Sequence, residues 1–169
     1  LYTMLNRRHI RTKVMQVIYA LKRSEELNLS SDEKFLVNSM ESMYSLYLLI
    51  ISLLIKVHEK AKDQQLKSQQ KHLLTSEDLN PNMRFVQNSL LVQMSKSESL
   101  KIAFDRYKIQ NWELDNEYVE VIFRSIIKSD IYLTYMDSNS SFNKDKQCVI
   151  DLFKEVIAPN DKLYNYLED

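Results

Sequence analysis

Not one of the 169 residues is glycine, where average usage of about 7% would supply roughly a dozen. Glycine turns the backbone at positive φ without a Cβ clash and lets it approach a ligand closely. Phosphate-cradling loops, dinucleotide fingerprints, nucleophile elbows and calcium loops all depend on it, so those four routes to function are closed. Tight Asn-Gly or Asp-Gly hairpins are closed as well, and only two prolines occur, which leaves an all-β chain almost no turn chemistry. The chain is therefore predicted to be all-α: a single-domain bundle of about six or seven helices, spanning 1–169. A domain of this size buries about two-thirds of its unfolded surface and needs no staples.

Apolar spacing places the helices. Ile10, Val14, Val17, Ile18 and Leu21 recur at helical intervals in a first helix from Asn6 to Leu27. Ile10, Val14, Ile18 and Leu21 are expected to be buried, with Arg7, Arg8 and Arg11 accessible. Asn28 suits a left-handed helix end, and Ser30 to Glu33 has the Ser-x-x-Glu form of a capping box. A second helix follows from Asp32 to about Gln70, with Phe35, Met40, Met43, Leu46, Leu49, Ile50, Leu53, Leu54 and Val57 inward. Its Gln/Lys-rich 59–71 stretch is expected to project into water, with either a break or a protruding end after Lys60. The run Leu46–Ile55 is far short of the roughly 20 apolar residues that span a bilayer, so it reads as a core helix and no membrane partner is expected. Asn80-Pro81 reads as a helix start with Met83, Val86, Leu90, Leu91 and Met94 inward, and Ser95 to Glu98 as a capping box for a helix through Tyr107. Trp112 falls in a connector and Asp115 at a cap. Helices follow from Tyr118 to Ile127, extended by Ser129–Met136 after a kink, then around Val149–Ile157 up to Pro159, and from Asp161 to Leu167.

Catalytic and metal patterns are missing. His9, His58 and His72 lack a second histidine or a carboxylate at the spacing of a helical metal site, so no metal and no cofactor are expected. His58 reads as a histidine at a core margin, His72 as solvent-facing and Cys148 as an inert, half-buried thiol. The paired acids Glu25/Glu26 and Asp32/Glu33 sit at helix ends, where capping and the helix dipole account for them. No aromatic pair has the spacing of a stacking platform. An enzyme is not expected. The lone cysteine cannot close an internal disulfide, which fits a reducing, cytoplasmic setting.

Charge is the remaining signal. Formal net charge is zero, so no global field draws the chain to nucleic acid or membranes. Yet Arg7, Arg8, Arg11, Lys13, Lys22 and Arg23 precede Glu25 with no acid among them, and the rest of the chain carries a matching excess of acids. The run Arg7-Arg8-His9-Ile10-Arg11-Thr12-Lys13-Val14-Met15-Gln16-Val17-Ile18-Tyr19 resembles the opening helix of the transcription antitermination factor NusB. That family shows two arginines, a third three residues later, then a glutamine and an aliphatic-Tyr step, positions held here by Arg7, Arg8, Arg11, Gln16, Ile18 and Tyr19. A small residue is usual where Ile10 stands, and an acid where Thr12 stands. Farther on, HLLTSEDLNPNMRFV, NWELDNEYVEVIFRSIIKSDIYLTYM and LFKEVIAPNDKLYNYLED are similar, in order and spacing, to the first half of extended, two-part NusB-like proteins. The short family's carboxy-terminal signature is missing. By that likeness the chain either is the amino-terminal part of a longer protein continuing past Asp169, the reading its finish in mid-pattern at Leu167 favours, or has diverged there, with Leu1–Thr3 as upstream sequence.

The resemblance implies an all-helical, NusB-like fold that binds a boxA-like single-stranded RNA and pairs with the ribosomal protein NusE, without catalysis or cofactor. Its RNA-facing motif carries over to Arg7, Arg8, Arg11 and Gln16, with Lys13 a weaker addition. Guanidinium groups suit this role, since they pair bidentately with phosphate and stack on unpaired bases. The alternative is a non-enzymatic helical protein-interaction module, in which the arginines are surface charge and the 59–71 arm and first helix bind another protein.

Overall fold

A computed structural model describes residues 7–23, 29–69 and 81–168, with side chains for all but 7, 9, 29, 32 and 69 of these. Among the described residues there are nine α-helices, one π-helical turn and no strand. They are α1 (Arg7–Arg23), α2 (Leu29–Gln69), α3 (Ser89–Lys96), α4 (Glu98–Tyr107), α5 (Asn111–Leu114), α6 (Asn116–Ile127), α7 (Asp130–Met136), α8 (Phe142–Leu152), the π turn (Phe153–Ile157) and α9 (Asp161–Glu168). The all-α class follows the sequence reading. The helices outnumber the expected six or seven because caps at Ser97 and Ser129 and the short Asn111–Leu114 helix cut the second half into small pieces.

The chain divides into two compact units, Leu1–Ile50 and Ile51–Asp169. The first holds α1 and α2 up to Ile50. In it Val17, Met40 and Leu48 are buried, while Ile10, Val14, Leu21, Met43, Leu49 and Ile50 are half-buried. Three expected core positions are corrected here: Ile18 is 53% exposed, Phe35 65% and Leu46 45%. Ile18 lies about 40° beyond half-buried Val14, at the edge of its stripe; in this part of α2 the buried Met40 and Leu48 lie about 140° and 220° around from Phe35 and Leu46 only about 20° from it, so the buried face is turned away from both. Hydroxyls inside the helices are satisfied locally, Thr12 Oγ1 by Arg8 O at 3.0 Å, Ser42 Oγ by Asn38 O at 2.9 Å and Ser45 Oγ by Glu41 O at 3.1 Å. Helix α2 begins at Leu29, so Ser30 lies inside its first turn rather than capping it. Asn28 lies outside the described residues. By length and composition alone α2 is long and apolar enough to cross a membrane, and a third of the window that qualifies is buried.

The second unit holds the main core: Leu53, Val57, Phe85, Leu91, Trp112, Val119, Ile122, Phe123, Ile126, Leu152, Ile157 and Leu163 are all buried. Helix α8 packs against α3 and α7, and α6 against α7 and the π turn. Of the two alternatives after Lys60 there is no break, and the described residues from 62 to 68 are exposed or half-exposed, while 70 and 71 lie outside the described residues. Helix α2 is continuous to Gln69, Ala61 is buried, and Lys60 Nζ pairs with Glu120 Oε2 on α6 at 2.5 Å.

Two further starts are corrected. Pro81–Gln87 forms an irregular turn, and the helix begins at Ser89 with Asn88 as its cap; Asn80 lies outside the described residues. Ser95 sits within α3, and the cap of α4 is Ser97, whose Oγ accepts from Leu100 N at 3.4 Å. Trp112 lies in the short helix α5 rather than in a connector, and it is buried, with its ring 5.3 Å from the Tyr166 ring on α9. Tyr166 Oη in turn donates to Asp115 Oδ2 at 2.7 Å and accepts from Asn111 Nδ2 at 3.1 Å. Helix α4 ends at Lys108 with φ 54°, the left-handed position that glycine usually fills.

Candidate functional site

Helix α1 carries the basic cluster singled out by the sequence. Its faces follow from a step of about 100° per residue, taking Arg7 as zero. Val17 is buried, with Ile10, Val14, Lys13 and Leu21 half-buried beside it, and together they cover an arc from about 240° to 340°. On the opposite side a strip from about 20° to 120° holds Ile18, Arg11, Lys22, Met15, Arg8 and Tyr19, every one exposed. Arg8 and Arg11 are thus brought together as expected. The Arg7 side chain lies outside the described residues. Gln16 is exposed beyond the strip's edge, and Lys13 sits on the margin of the buried arc, so neither shares the strip with the two arginines.

The strip is not purely cationic. Met15 is 64% exposed and Tyr19 60% exposed, and the Arg23 guanidinium stands 5.1 Å from the centroid of the Tyr19 ring. Charged and apolar groups alternate along one accessible face of one helix.

In the second unit the structure assembles a polar cluster with no local trace in the sequence. Asn88, at the cap of α3, accepts from Leu90 N and Leu91 N at 3.1 Å with Oδ1 and donates from Nδ2 to Tyr135 Oη at 2.9 Å and to Asp145 O at 3.1 Å. Asp145, at the start of α8, accepts from Ser89 N at 2.8 Å, from Arg84 Nη2 at 2.6 Å, from Tyr135 Oη at 2.9 Å and from the Ser89 hydroxyl. Arg84 also donates to Ser138 O at 3.3 Å and Asn139 O at 3.4 Å, and its guanidinium lies 4.3 Å from the Tyr135 ring centroid. Asn88, Tyr135 and Asp145 are buried.

The electrostatics follow from this donor set. Burial pushes the Asp145 carboxyl up, but the Ser89, Arg84 and Tyr135 donors outweigh it and bring it down to about 2. Burial and the adjacent carboxylate push the Tyr135 hydroxyl up. Cys148 is buried, not half-buried as expected, and burial drives its thiol to about 12, leaving it an inert group. The cluster clamps the 81–88 turn to α7, α8 and the loop between them.

His58 is also deeper than a core margin: it is fully buried, with Nε2 2.7 Å from Val86 O, Nδ1 without a partner and its ring edge-on to Phe85. Burial lowers its pKa, against the pull of the Val86 carbonyl, so the neutral ring is favoured. His9 has no described side chain and His72 lies outside the described residues. Among the described residues no group of three His, Cys, Asp or Glu side chains is placed to hold a metal ion. An open groove of about 550 Å³ runs between α7 and α8, lined by Ile131, Thr134, Tyr135, Lys144 and Cys148 among others. Comparison with protein-family models, with curated proteins and with solved structures finds no match to this chain.

Proposed function

We propose that this protein is an RNA-binding transcription antitermination or regulation factor of NusB type, which binds a boxA-like single strand through α1 and works by docking, without catalysis or cofactor. The observation that carries the reading is the exposed basic strip on an acid-free amino terminus: Arg8 and Arg11 lie on the accessible side of α1, opposite buried Val17. Its Arg-Arg-x-x-Arg and Gln-x-Ile-Tyr spacing supports the NusB resemblance on which the choice of RNA, a NusE-like ribosomal protein partner and a cytoplasmic setting rest. Arginines in this arrangement pair with phosphates of an unpaired strand and leave its bases accessible.

Three or four such contacts give a fall of log affinity against log salt with a slope of roughly −2 to −3 for a single strand. Arg8→Glu with Arg11→Glu should abolish binding to a boxA-like strand at low salt and leave the helical circular dichroism unchanged, because both side chains are exposed. Equal affinity of wild type and double variant refutes the RNA reading. It would favour a protein-interaction module, for which exposed Met15, Ile18 and Tyr19 on the same helix already provide an apolar surface.

A further inference from the structure

The open groove between α7 and α8 has a direction. Its two walls are antiparallel: Tyr135 on α7 meets Asp145 on α8 through a 2.9 Å hydrogen bond, and farther from the connecting loop burial and the nearby Cys148 thiol raise the Tyr132 hydroxyl. This register brings Asp130, at the start of α7, to the same end of the groove as Asp151, near the end of α8. Lys144 stands at the other end, beside the loop. The lining positions recur at helical intervals, 130, 134 and 138 on one wall and 144, 147 and 151 on the other, so each helix turns one stripe to the groove. From Lys144 to Asp151 the groove runs ~10 Å along the axis, about two helical turns. Tyr135 and Cys148 form its buried floor beside half-buried Ile131, and Thr134 and Gln147 are exposed at its sides. The floor has little to bond with, since the Tyr135 hydroxyl is taken by Asp145 and burial keeps the Cys148 thiol neutral. The ends differ: Asp151 accepts from Gln147 Nε2 at 2.7 Å, while Asp130 and Lys144 have no ion-pair partner among the described residues.

We propose that this groove docks an amphipathic helix of a partner protein, about two turns long, with its apolar stripe on Ile131 and Tyr135, a basic residue at the Asp130/Asp151 end and an acidic residue at the Lys144 end. Shape and charge together select this occupant. A trough open along its length and walled by two antiparallel helices leaves the place of a third, packed about 8–10 Å from each. A small molecule is fixed by convergent polar groups, and this floor has none to spare. Paired acids at one end repel the phosphates of a nucleic acid, so the groove is separate from RNA binding by α1 and does not depend on it. Burial of the stripe supplies affinity, and the opposite charges at the two ends set the direction in which the helix lies.

The test uses the whole chain and two fluorescein-labelled helical peptides of about 14 residues with leucines at the i, i+3, i+4 and i+7 spacing. One carries lysines at one end and glutamates at the other, and the second carries glutamates at both ends. In anisotropy titrations wild type should bind the first about tenfold or more tightly, because the second sets like charges against Asp130 and Asp151. Asp130→Lys with Asp151→Lys should reverse that order, and Thr134→Arg, which lays a long side chain across the groove, should weaken both peptides about tenfold or more. Arg8→Glu with Arg11→Glu should leave both titrations unchanged. Equal affinity for the two peptides, no binding of either, or titrations that Thr134→Arg does not alter overturn the proposal, and none of these results bears on RNA binding by α1. Sedimentation velocity of the chain alone tests the other occupant. Concentration-dependent association that Thr134→Arg abolishes gives the groove to a second copy and overturns the partner helix. Asp130 and Thr134 are exposed and Asp151 half-exposed, so an unchanged circular dichroism spectrum separates these outcomes from misfolding.

Discussion

Substituting Asp145 by Asn keeps the shape of the buried cluster and removes its charge. Four donors converge on this carboxylate: Ser89 N, the Ser89 hydroxyl, Arg84 Nη2 and Tyr135 Oη. An amide offers one acceptor oxygen in place of two and brings its own donor against groups that already donate. The Arg84 side chain, only 10% exposed, would face no counter-charge. Breaking a buried pair from one side costs about 3–5 kcal/mol, a large part of the roughly 5–15 kcal/mol that holds a domain folded. Urea unfolding followed by far-ultraviolet circular dichroism should show that loss at neutral pH. Arg84→Met should cost less, because Ser89 and Tyr135 still serve the carboxylate, and the double variant should lose less than the two single losses combined. The pH dependence is an independent check. Asp145 titrates at about 2 in the fold against an ordinary 3.8, so its ionised form stabilises the native state fully above the unfolded value. That contribution, about 2–3 kcal/mol, disappears as pH falls from about 4 to about 2. The gap between wild type and Asp145→Asn should narrow over that interval. A loss under about 1 kcal/mol at neutral pH, or a gap that does not change with acid, would refute the account of the cluster as a charge-dependent clamp.

Two smaller perturbations probe other parts of the fold. Lys108 ends α4 at φ 54°, where a Cβ costs roughly 1 kcal/mol, so Lys108→Gly should raise stability by about that amount, less glycine's extra unfolded-state entropy; a lowered melting temperature would contradict it. His58 is buried and favoured neutral, so its folded pKa lies below the unfolded value of about 6.5 and stability should fall as pH drops below about 6.5. His58→Gln, which keeps a donor for Val86 O, should flatten that decline between about pH 7 and 5 in urea titrations, and an unchanged slope would remove His58 as its source.

The parts of this chain that were legible in its sequence are those set by composition and local period. A glycine-free sequence with two prolines lacks most of the turn chemistry that hairpins use, which points to helices, and the basic first helix shows in six cations with no acid before Glu25. Cap positions were less legible because several residues compete to start the same helix. Asn80-Pro81 is the stronger local signal, yet the start falls at Asn88. The intervening side chains are engaged elsewhere, with Asn82 Nδ2 on Met136 O at 2.9 Å and Arg84 on Asp145 and the 138–139 backbone. Those contacts hold the 81–88 segment as a strap across distant elements, and a helix would turn the same side chains away from them.

The Arg84–Asn88–Tyr135–Asp145 cluster left no periodic mark at all. Apart from Tyr135 and Asp145, ten positions apart, its bonded members stand 47 to 61 positions apart, and Asp145, set between Lys144 and Lys146, reads locally as one more charge on a solvated face. Burial came from topology: α8 is covered by α3 and α7, and the residue at that crossing must bring enough acceptors for every donor that the crossing traps. On α1 the situation is reversed. Arg8, Arg11, Met15 and Tyr19 are all exposed, and the helical step alone puts them on one side of the helix. The same spacing separates Lys13 from the strip, because at about 240° from Arg7 it falls on the margin of the buried arc. A charge count ranks Lys13 with the arginines; the helical step does not. The two rankings part on Lys13→Ala, which should leave single-strand affinity nearly unchanged if the strip is the binding surface, and should match Arg11→Ala if charge alone governs.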